Sequence, residues 1–191
     1  MKNNKIETLP TEGREVKLRI ASVTYETPFP QAPGKAPSDV VYEEGDADFP
    51  VDIEDAALRC LSADGDDDGP LRTEFVTVGK YAEENGRITI TYDESEILQT
   101  PGTLSQITFR EEEPGLVVIL RTGAVKSMFV LEAGRRHVSE YDMGFIKIPM
   151  CFCASRVVNT VKDGVGEIEL DYRVEMNGSQ TQRTKMKITL G

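Results

Sequence analysis

The sequence predicts an all-β protein, an antiparallel up-and-down barrel of about 8–10 strands with a long acidic insertion after the first strand. Short segments of alternating apolar and polar residues follow one another from residue 71 onward, and glycine, asparagine and proline residues separate them. No helical pattern lies between these segments, which excludes a parallel sheet with helical crossovers. Because barrels of this length fold as single units, we expect one domain over residues 1–191.

The first strand is predicted at residues 15–25, where Val16, Leu18 and Ile20 alternate with polar neighbours. The residues after the insertion form a series of short segments joined by turn signals, of which Asn85-Gly86 is a strong hairpin signal. Further strands are predicted at residues 71–82, 87–92, 103–109, 116–121, 124–131, 135–141, 145–152, 155–161, 167–176 and 181–190. Since exposed sheet edges invite pairing with other chains, we expect the first strand to pair with the last.

The insertion covers residues 27–70 and is rich in proline. It carries 12 acidic residues against only Lys35 and Arg59. Each proline removes a donor from a strand ladder, so no regular strand is expected here. A short helix is predicted at residues 52–61, where apolar residues recur at helical spacing and Asp52 is suited to be the N-cap.

Charge and composition exclude several classes of partner. The formal net charge is −11, and nearly all of it belongs to the insertion, so the predicted barrel is close to neutral. Because the basic residues are dispersed, we expect no nucleic acid partner. No apolar run is long enough to cross a bilayer and the N-terminal residues lack the core of a signal peptide. The three cysteines, an odd number, indicate a reducing compartment, so we expect a cytoplasmic protein without membrane contact.

We predict no catalytic motif, no cofactor and no metal site. The sequence has no glycine-rich phosphate loop and no nucleophile elbow. Residues 64–69 begin like a calcium loop, but Phe75 stands where a bidentate glutamate belongs, so a solvated acidic turn is expected. Cys151 and Cys153 lack the spacing of redox or zinc motifs, and we expect them to pack as small apolar residues.

Residues between 76 and 190 carry a pattern found in a known family. The pattern comprises Gly79-Lys80-Tyr81, the run Ile-Thr-Tyr-Asp-Glu-Ser-Glu at 90–96, Arg121-Thr-Gly-Ala-Val125, Met128, Gly134, His137, Tyr141 and Met176-Asn-Gly178. It resembles the YwiB-like family of small bacterial proteins of unknown function. The resemblance implies a calycin-like (lipocalin-like) β-barrel and no established activity. Family members join the first two strands by a short loop and have a longer turn after Tyr141, so this chain departs from the family at both places.

One predicted strand carries a polar face that is suited to bind a ligand. Alternation places His137, Ser139 and Tyr141 on one side, and a calycin-like barrel would turn one such face into its lumen. His137 and Tyr141 would then bind a ligand anion with Arg121 or Lys126 nearby. The alternative is a histidine that is hydrogen-bonded for structural reasons. The residues predicted to line the pocket are Tyr92, Arg121, Met128, His137 and Tyr141.

Three functions are compatible with the sequence. The first is a non-enzymatic barrel that binds a small molecule at its open end, which rests on analogy of fold. The second is a protein-interaction or regulatory module that docks a basic partner through the acidic insertion. The third, ranked last, is an enzyme that uses His137 and Tyr141, which would have to converge with an arginine in a concave pocket. The sequence does not indicate an oligomeric state.

Overall fold

The structure, a computed structural model, describes residues 13–27, 69–95, 102–142, 144, 146–176 and 180–191. Within these ranges the chain forms strands and no helix, and hence no helix that could span a membrane. The strands are β1 (Arg14–Thr27), β2 (Leu71–Glu84), β3 (Arg87–Asp93), β4 (Leu104–Arg110), β5 (Glu113–Thr122), β6 (Ser127–Glu132), β7 (Arg136–Asp142), β8 (Lys147–Asn159), β9 (Gly166–Met176) and β10 (Gln180–Leu190). The predicted insertion, apart from its two ends, and the helix predicted at 52–61 lie outside the described residues.

All of these strands belong to one antiparallel sheet, in the order β6-β5-β4-β3-β2-β1-β10-β9-β8-β7. The first strand pairs with the last, as predicted. The two edge strands, β6 and β7, meet along a seam. Lys126 and Asp142 exchange two backbone hydrogen bonds of 2.8 Å at one end of this seam, and the Gly134 N–H donates to the Ala154 carbonyl at 2.9 Å near the other. The predicted all-β up-and-down barrel is therefore confirmed, in a nearly closed form.

The inner wall consists of rows of side chains that face one another across neighbouring strands. The register of β3 to β6 aligns Ile90, Ile107, Ile119 and Phe129 in one row, and all four are buried. A second row, which includes Val117, lies beside it and is also buried. Because side chains alternate along each strand, these rows define the face that points into the lumen.

The two ends of the barrel differ in how their strands are connected. At one end, here called the turn end, Asn85 and Gly86 join β2 to β3 with φ values of 52° and 72°, which is the backbone of the predicted Asn-Gly hairpin. At the opposite end, here called the loop end, the connections are mostly longer in sequence. The strands that finish at the loop end are β1, β3, β5, β7 and β9.

One observed strand takes the place of two predicted ones. The segments predicted at 145–152 and 155–161 belong to a single strand, β8, which has 13 residues. Its register with β9 shifts between Ala154 and Arg156. Such a bulge adds one residue and reverses the alternation, so both Ala154 and Val157 face inward-pointing residues of β9.

The assignment of the inner face can be tested by making the same valine-to-alanine substitution once on each face of the sheet. Val117 is fully buried, whereas Val78 of β2 is 60% exposed. We expect Val117→Ala to lower the free energy of unfolding by about 2 kcal/mol, because it removes two buried methyl groups and leaves a cavity. Val78→Ala should change it by less than about 0.5 kcal/mol. Urea denaturation followed by circular dichroism measures both, and equal losses would contradict the assigned inner face.

Candidate functional site

One row of the inner wall is polar. It consists of Tyr92, Ser105, Arg121 and Ser127, which are aligned across β3, β4, β5 and β6. This polar row lies next to the apolar row of Ile107, on the side of the loop end. Ser105, Ser127 and Tyr92 are 0%, 5% and 6% exposed. The Arg121 side chain is 19% exposed, so solvent reaches the polar row at this residue.

An ion pair adjoins the polar row. Glu94 follows directly after β3, and its side chain is 4% exposed. Arg121 donates from Nε to Glu94 Oε2 at 2.8 Å and from Nη2 to Oε1 at 3.4 Å. The Tyr92 hydroxyl donates to Oε1 at 2.9 Å. The buried carboxylate thus has both an opposite charge and several hydrogen bonds, which a buried anion requires.

Local backbone interactions position Glu94. Its N–H donates to the Thr103 carbonyl at 2.9 Å, which extends the pairing of β3 with β4 by one step. The Ser95 N–H donates to Asp93 Oδ1 at 2.7 Å, and hydrogen bonds from Ser95 lower the pKa of Asp93. An aspartate that accepts from the residue two positions later forms a tight turn. The chain therefore turns immediately after Glu94 has been directed into the lumen.

Two glycines bring the ends of β3 and β5 together. Gly123 follows β5 with a φ of +111°, and a Cβ atom there would lie 2.0 Å from the Gly102 carbonyl oxygen. Only a residue without a side chain allows this approach, and the positive φ also favours glycine. The contact holds the β5–β6 connection against the β3–β4 connection. It thereby keeps Arg121 within reach of Glu94.

Aromatic rings extend from the ion pair across the lumen. The Arg121 guanidinium carbon lies 5.2 Å from the centre of the Phe129 ring, within the range of a cation–π contact. The Phe129 and Phe152 ring centres are 4.6 Å apart, and those of Phe152 and Tyr172 are 6.5 Å apart. This chain of rings connects β6 through β8 to β9. The polar row therefore borders an aromatic surface.

The burial of this cluster shifts the pKa values of its members. Burial raises the pKa of Tyr92, and the neighbouring Glu94 carboxylate raises it further. Burial also raises the pKa of Tyr172. For Arg121, burial lowers the pKa of the guanidinium, but Glu94 together with Tyr92 and Tyr172 raises it by more, so the pKa rises. At neutral pH the cluster thus contains neutral phenols and a charged guanidinium.

The structure brings two of the predicted pocket residues, Tyr92 and Arg121, into this cluster. His137 and Tyr141 face the same side of β7, opposite Phe152 and Ile148 of β8, so their predicted common face is present. His137 Nε2 is buried without a hydrogen bond, and Glu132 Oε2 lies 3.6 Å away. In the part of the chain that is described, no hydrogen bond or ion pair joins His137 or Tyr141 to the cluster.

Met128, the fifth predicted pocket residue, lies on the outer wall and is 44% exposed. Its neighbours Ser127 and Phe129 both point inward, so alternation turns Met128 outward. Glu94, in contrast, belongs to the cluster and was absent from the predicted pocket. Its signal was available in the sequence, because Glu94 continues the two-residue alternation that runs through Ile90 and Tyr92.

The two cysteines of β8 lie on the outer wall beside charged groups. Arg136 donates to Cys151 Sγ at 2.6 Å and to Glu175 Oε2 at 2.7 Å. Burial, with Cys151 and Glu175 nearby, raises the pKa of Cys153 to about 11. A thiol with a raised pKa is a poor nucleophile at neutral pH. Among the described residues, no group of three or more histidine, cysteine or carboxylate side chains is arranged to hold a metal ion.

A surface pocket of about 190 Å³ lies elsewhere, on the outer wall near the turn end. Arg87, Arg110 and Glu113 contribute charged side chains to it, and Leu116 and Val118 contribute apolar ones. None of the predicted pocket residues lines this cavity. No residue of the polar row lines it, so it does not belong to the same site.

The fold and the cluster define a small β-barrel protein with an ion pair in its lumen. The chain belongs to the family described as a domain of unknown function, DUF1934, whose model matches residues 61–188. It is 24% identical over 132 residues to the "Uncharacterized beta-barrel protein YwiB" of Bacillus subtilis (strain 168), covering 69% of this chain and 89% of that protein. These matches confirm the YwiB-like resemblance.

A solved structure shows the same fold. The crystal structure of the ywiB protein from Bacillus subtilis superimposes with a TM-score of 0.57 at 17% sequence identity. The match covers 93% of this chain and 92% of that one. The shared architecture is therefore the barrel.

The ion pair can be tested by removing one partner. We expect Arg121→Met to lower the free energy of unfolding by about 3–5 kcal/mol, because Glu94 is then buried without its counter-charge. Arg19→Met is a matched control, since Arg19 bonds Glu74 on the outer wall with a partly exposed side chain and should cost less than about 1 kcal/mol. Urea denaturation of both variants measures the difference. Similar small losses would show that the buried pair contributes little.

Stability should also fall at high pH because of the buried tyrosines. The folded pKa values of Tyr92 and Tyr172 lie above the ordinary 10.0. Above pH 10.0, the unfolded chain loses phenol protons that the folded chain keeps, so the free energy of unfolding falls as the pH rises. Well below that pH both the folded and the unfolded chain keep these protons, so the free energy of unfolding does not depend on the two tyrosines' titration there. Urea midpoints between about pH 8 and 11 should decline less steeply for Tyr92→Phe than for the exposed control Tyr25→Phe; identical slopes would contradict the shift.

Proposed function

We propose that this chain is a non-enzymatic binding protein whose barrel takes a small molecule at the loop end, against the polar row. The observation that carries the proposal is a group of inward-facing polar side chains that is buried beside an apolar surface and is still reached by solvent at Arg121. Small-molecule sites are typically apolar cavities with a few convergent polar groups. The polar row and the rings of Phe129 and Phe152 supply these two components.

The hydroxyl of Ser127 supports the proposal. It is buried next to Arg121 in the row, and Oγ has no hydrogen-bond partner. Leaving a buried hydroxyl without a partner costs about 1–3 kcal/mol. A ligand that accepts or donates a hydrogen bond at this position would recover that energy. The neighbouring guanidinium of Arg121 would orient the same ligand.

The geometry favours binding over catalysis. An enzyme that uses His137 and Tyr141 would need both to act with an arginine. The described charged neighbour of His137 is instead Glu132, whose Oε2 lies 3.6 Å from His137 Nε2. A general base must lie within hydrogen-bond reach of the group it serves. Docking through the acidic insertion concerns residues outside the described ranges, and no described contact supports it.

The proposal can be tested with N-phenyl-1-naphthylamine, an uncharged dye whose fluorescence increases in apolar surroundings. Titration of the full chain should give a saturable rise with one dye per protein. Ser127→Leu should weaken binding at least about tenfold, because the larger side chain occupies the space beside Arg121. Met128→Leu is the matched control, since it alters the adjacent residue on the outer wall and should bind as the unsubstituted chain does.

Either of two results would overturn the proposal. The first is dye fluorescence that does not saturate with the full chain. The second is equal binding by Ser127→Leu and Met128→Leu, with circular dichroism confirming that both variants are folded, because the dye would then be bound outside the lumen.

A further inference from the structure

We infer that the site selects uncharged ligands that carry a carbonyl or similar acceptor group, because Arg121 and Glu94 neutralise each other inside the barrel. This inference rests on the proposed binding function and names the class of ligand. It depends on three features of the cluster: the balance of its charges, the hydrogen-bond donors that the ion pair leaves available, and the aromatic surface beside it.

The charge balance follows from the residues that face this half of the lumen. In the described strands, alternation directs Arg121 and Glu94 inward near the loop end, whereas Tyr92, Ser105 and Tyr172 are uncharged. His137, farther along the seam, is half-buried beside Glu132. Among the side chains that the structure describes in the polar row and beside it, the charges of Arg121 and Glu94 therefore sum to zero. A carboxylate is attracted by Arg121 and repelled by Glu94, and an ammonium group the reverse, so neither ion gains a net attraction that offsets its loss of water.

An ion gains a net electrostatic attraction only by disturbing the pair. Glu94 already accepts two hydrogen bonds from Arg121 and one from Tyr92. An anion that drew Arg121 away to gain a net attraction would leave Glu94 buried without its counter-charge, which is strongly unfavourable. An uncharged ligand leaves the pair intact. The pair thus discriminates by charge while keeping its own geometry.

Donors remain for an uncharged acceptor. An arginine has five N–H donors, and the hydrogen bonds to Glu94 come from Nε and Nη2 of Arg121. The Ser127 hydroxyl, which has no partner, lies next to Arg121 in the row. A carbonyl oxygen is able to accept from either group. The rings of Phe129 and Phe152 then contact the apolar part of the ligand.

Three probes of similar shape test the charge selection at pH 7.5: benzamide, benzoate and benzylamine. Saturation-transfer NMR on the full chain detects the binding of each probe directly. We expect the dissociation constant of benzamide to be at least about tenfold lower than that of benzoate or benzylamine. Tighter binding of either charged probe, or equal binding of all three, would overturn the inference.

The charge preference should change when the pair is unbalanced. Glu94→Gln leaves Arg121 without its counter-charge, so benzoate should become the tightest-binding probe. Glu74→Gln, which removes an outer-wall carboxylate paired with Arg19, is the matched control and should keep the preference for benzamide. An unchanged preference in Glu94→Gln would overturn the inference. If Glu94→Gln does not fold by circular dichroism, the double variant Arg121→Gln/Glu94→Gln serves instead, and it should bind benzoate and benzylamine less tightly than benzamide.

The two proposals fail in different ways. If the naphthylamine dye binds in the lumen while the three probes bind equally, the inference about charge fails and the proposed binding function stands. If neither the dye nor any probe binds, the proposed function fails and the inference fails with it.

Discussion

The pairing of β1 with β10 is the constraint on which the rest of the structure depends. It joins strands β1 to β6 to strands β7 to β10. The register runs from Leu18 opposite Leu190 to Thr27 opposite Thr181. Because side chains alternate, a slip of one residue would turn Ile20 and its neighbours outward along the whole strand. This register also sets which residues of β9 face the polar row across the lumen. Tyr172 lies near Arg121 for that reason.

The buried ion pair has a different role from the apolar rows. Burying two charges costs much of what their attraction returns, so such a pair is weak support for stability. The apolar rows that include Ile107 and Val117 supply the burial that favours folding. Arg121 and Glu94 instead hold one arrangement in place, assisted by the contact between Gly102 and Gly123. In the proposed binding function, the pair serves to select the ligand by its charge.

Periodicity of two residues was sufficient to predict most of the strands, and the need to cover the sheet edges predicted the pairing of the first strand with the last. It was insufficient after Ala154, where a bulge at the polar pair Ser155-Arg156 reverses the alternation and one strand continues through the break predicted between two. Within the site, Tyr92 and Arg121 were predicted and lie together. Glu94 was missed because an acidic residue at a strand end is usually solvated, and a single sequence does not show that Arg121 folds over it. Met128 was included as a residue of the family pattern, and such a pattern does not show which face of the strand a residue occupies.

The layering of the lumen also bears on how this family can diversify. Folding depends on the apolar rows, whereas the proposed binding site depends on the polar row, to which four strands contribute one residue each. Selection can therefore alter Ser105 or Ser127 while the apolar rows keep the barrel intact. A common barrel persisting at 17% identity is consistent with such a division. The same division makes the barrel a candidate scaffold for engineering, because substitutions in the polar row could change what it binds without altering the apolar rows.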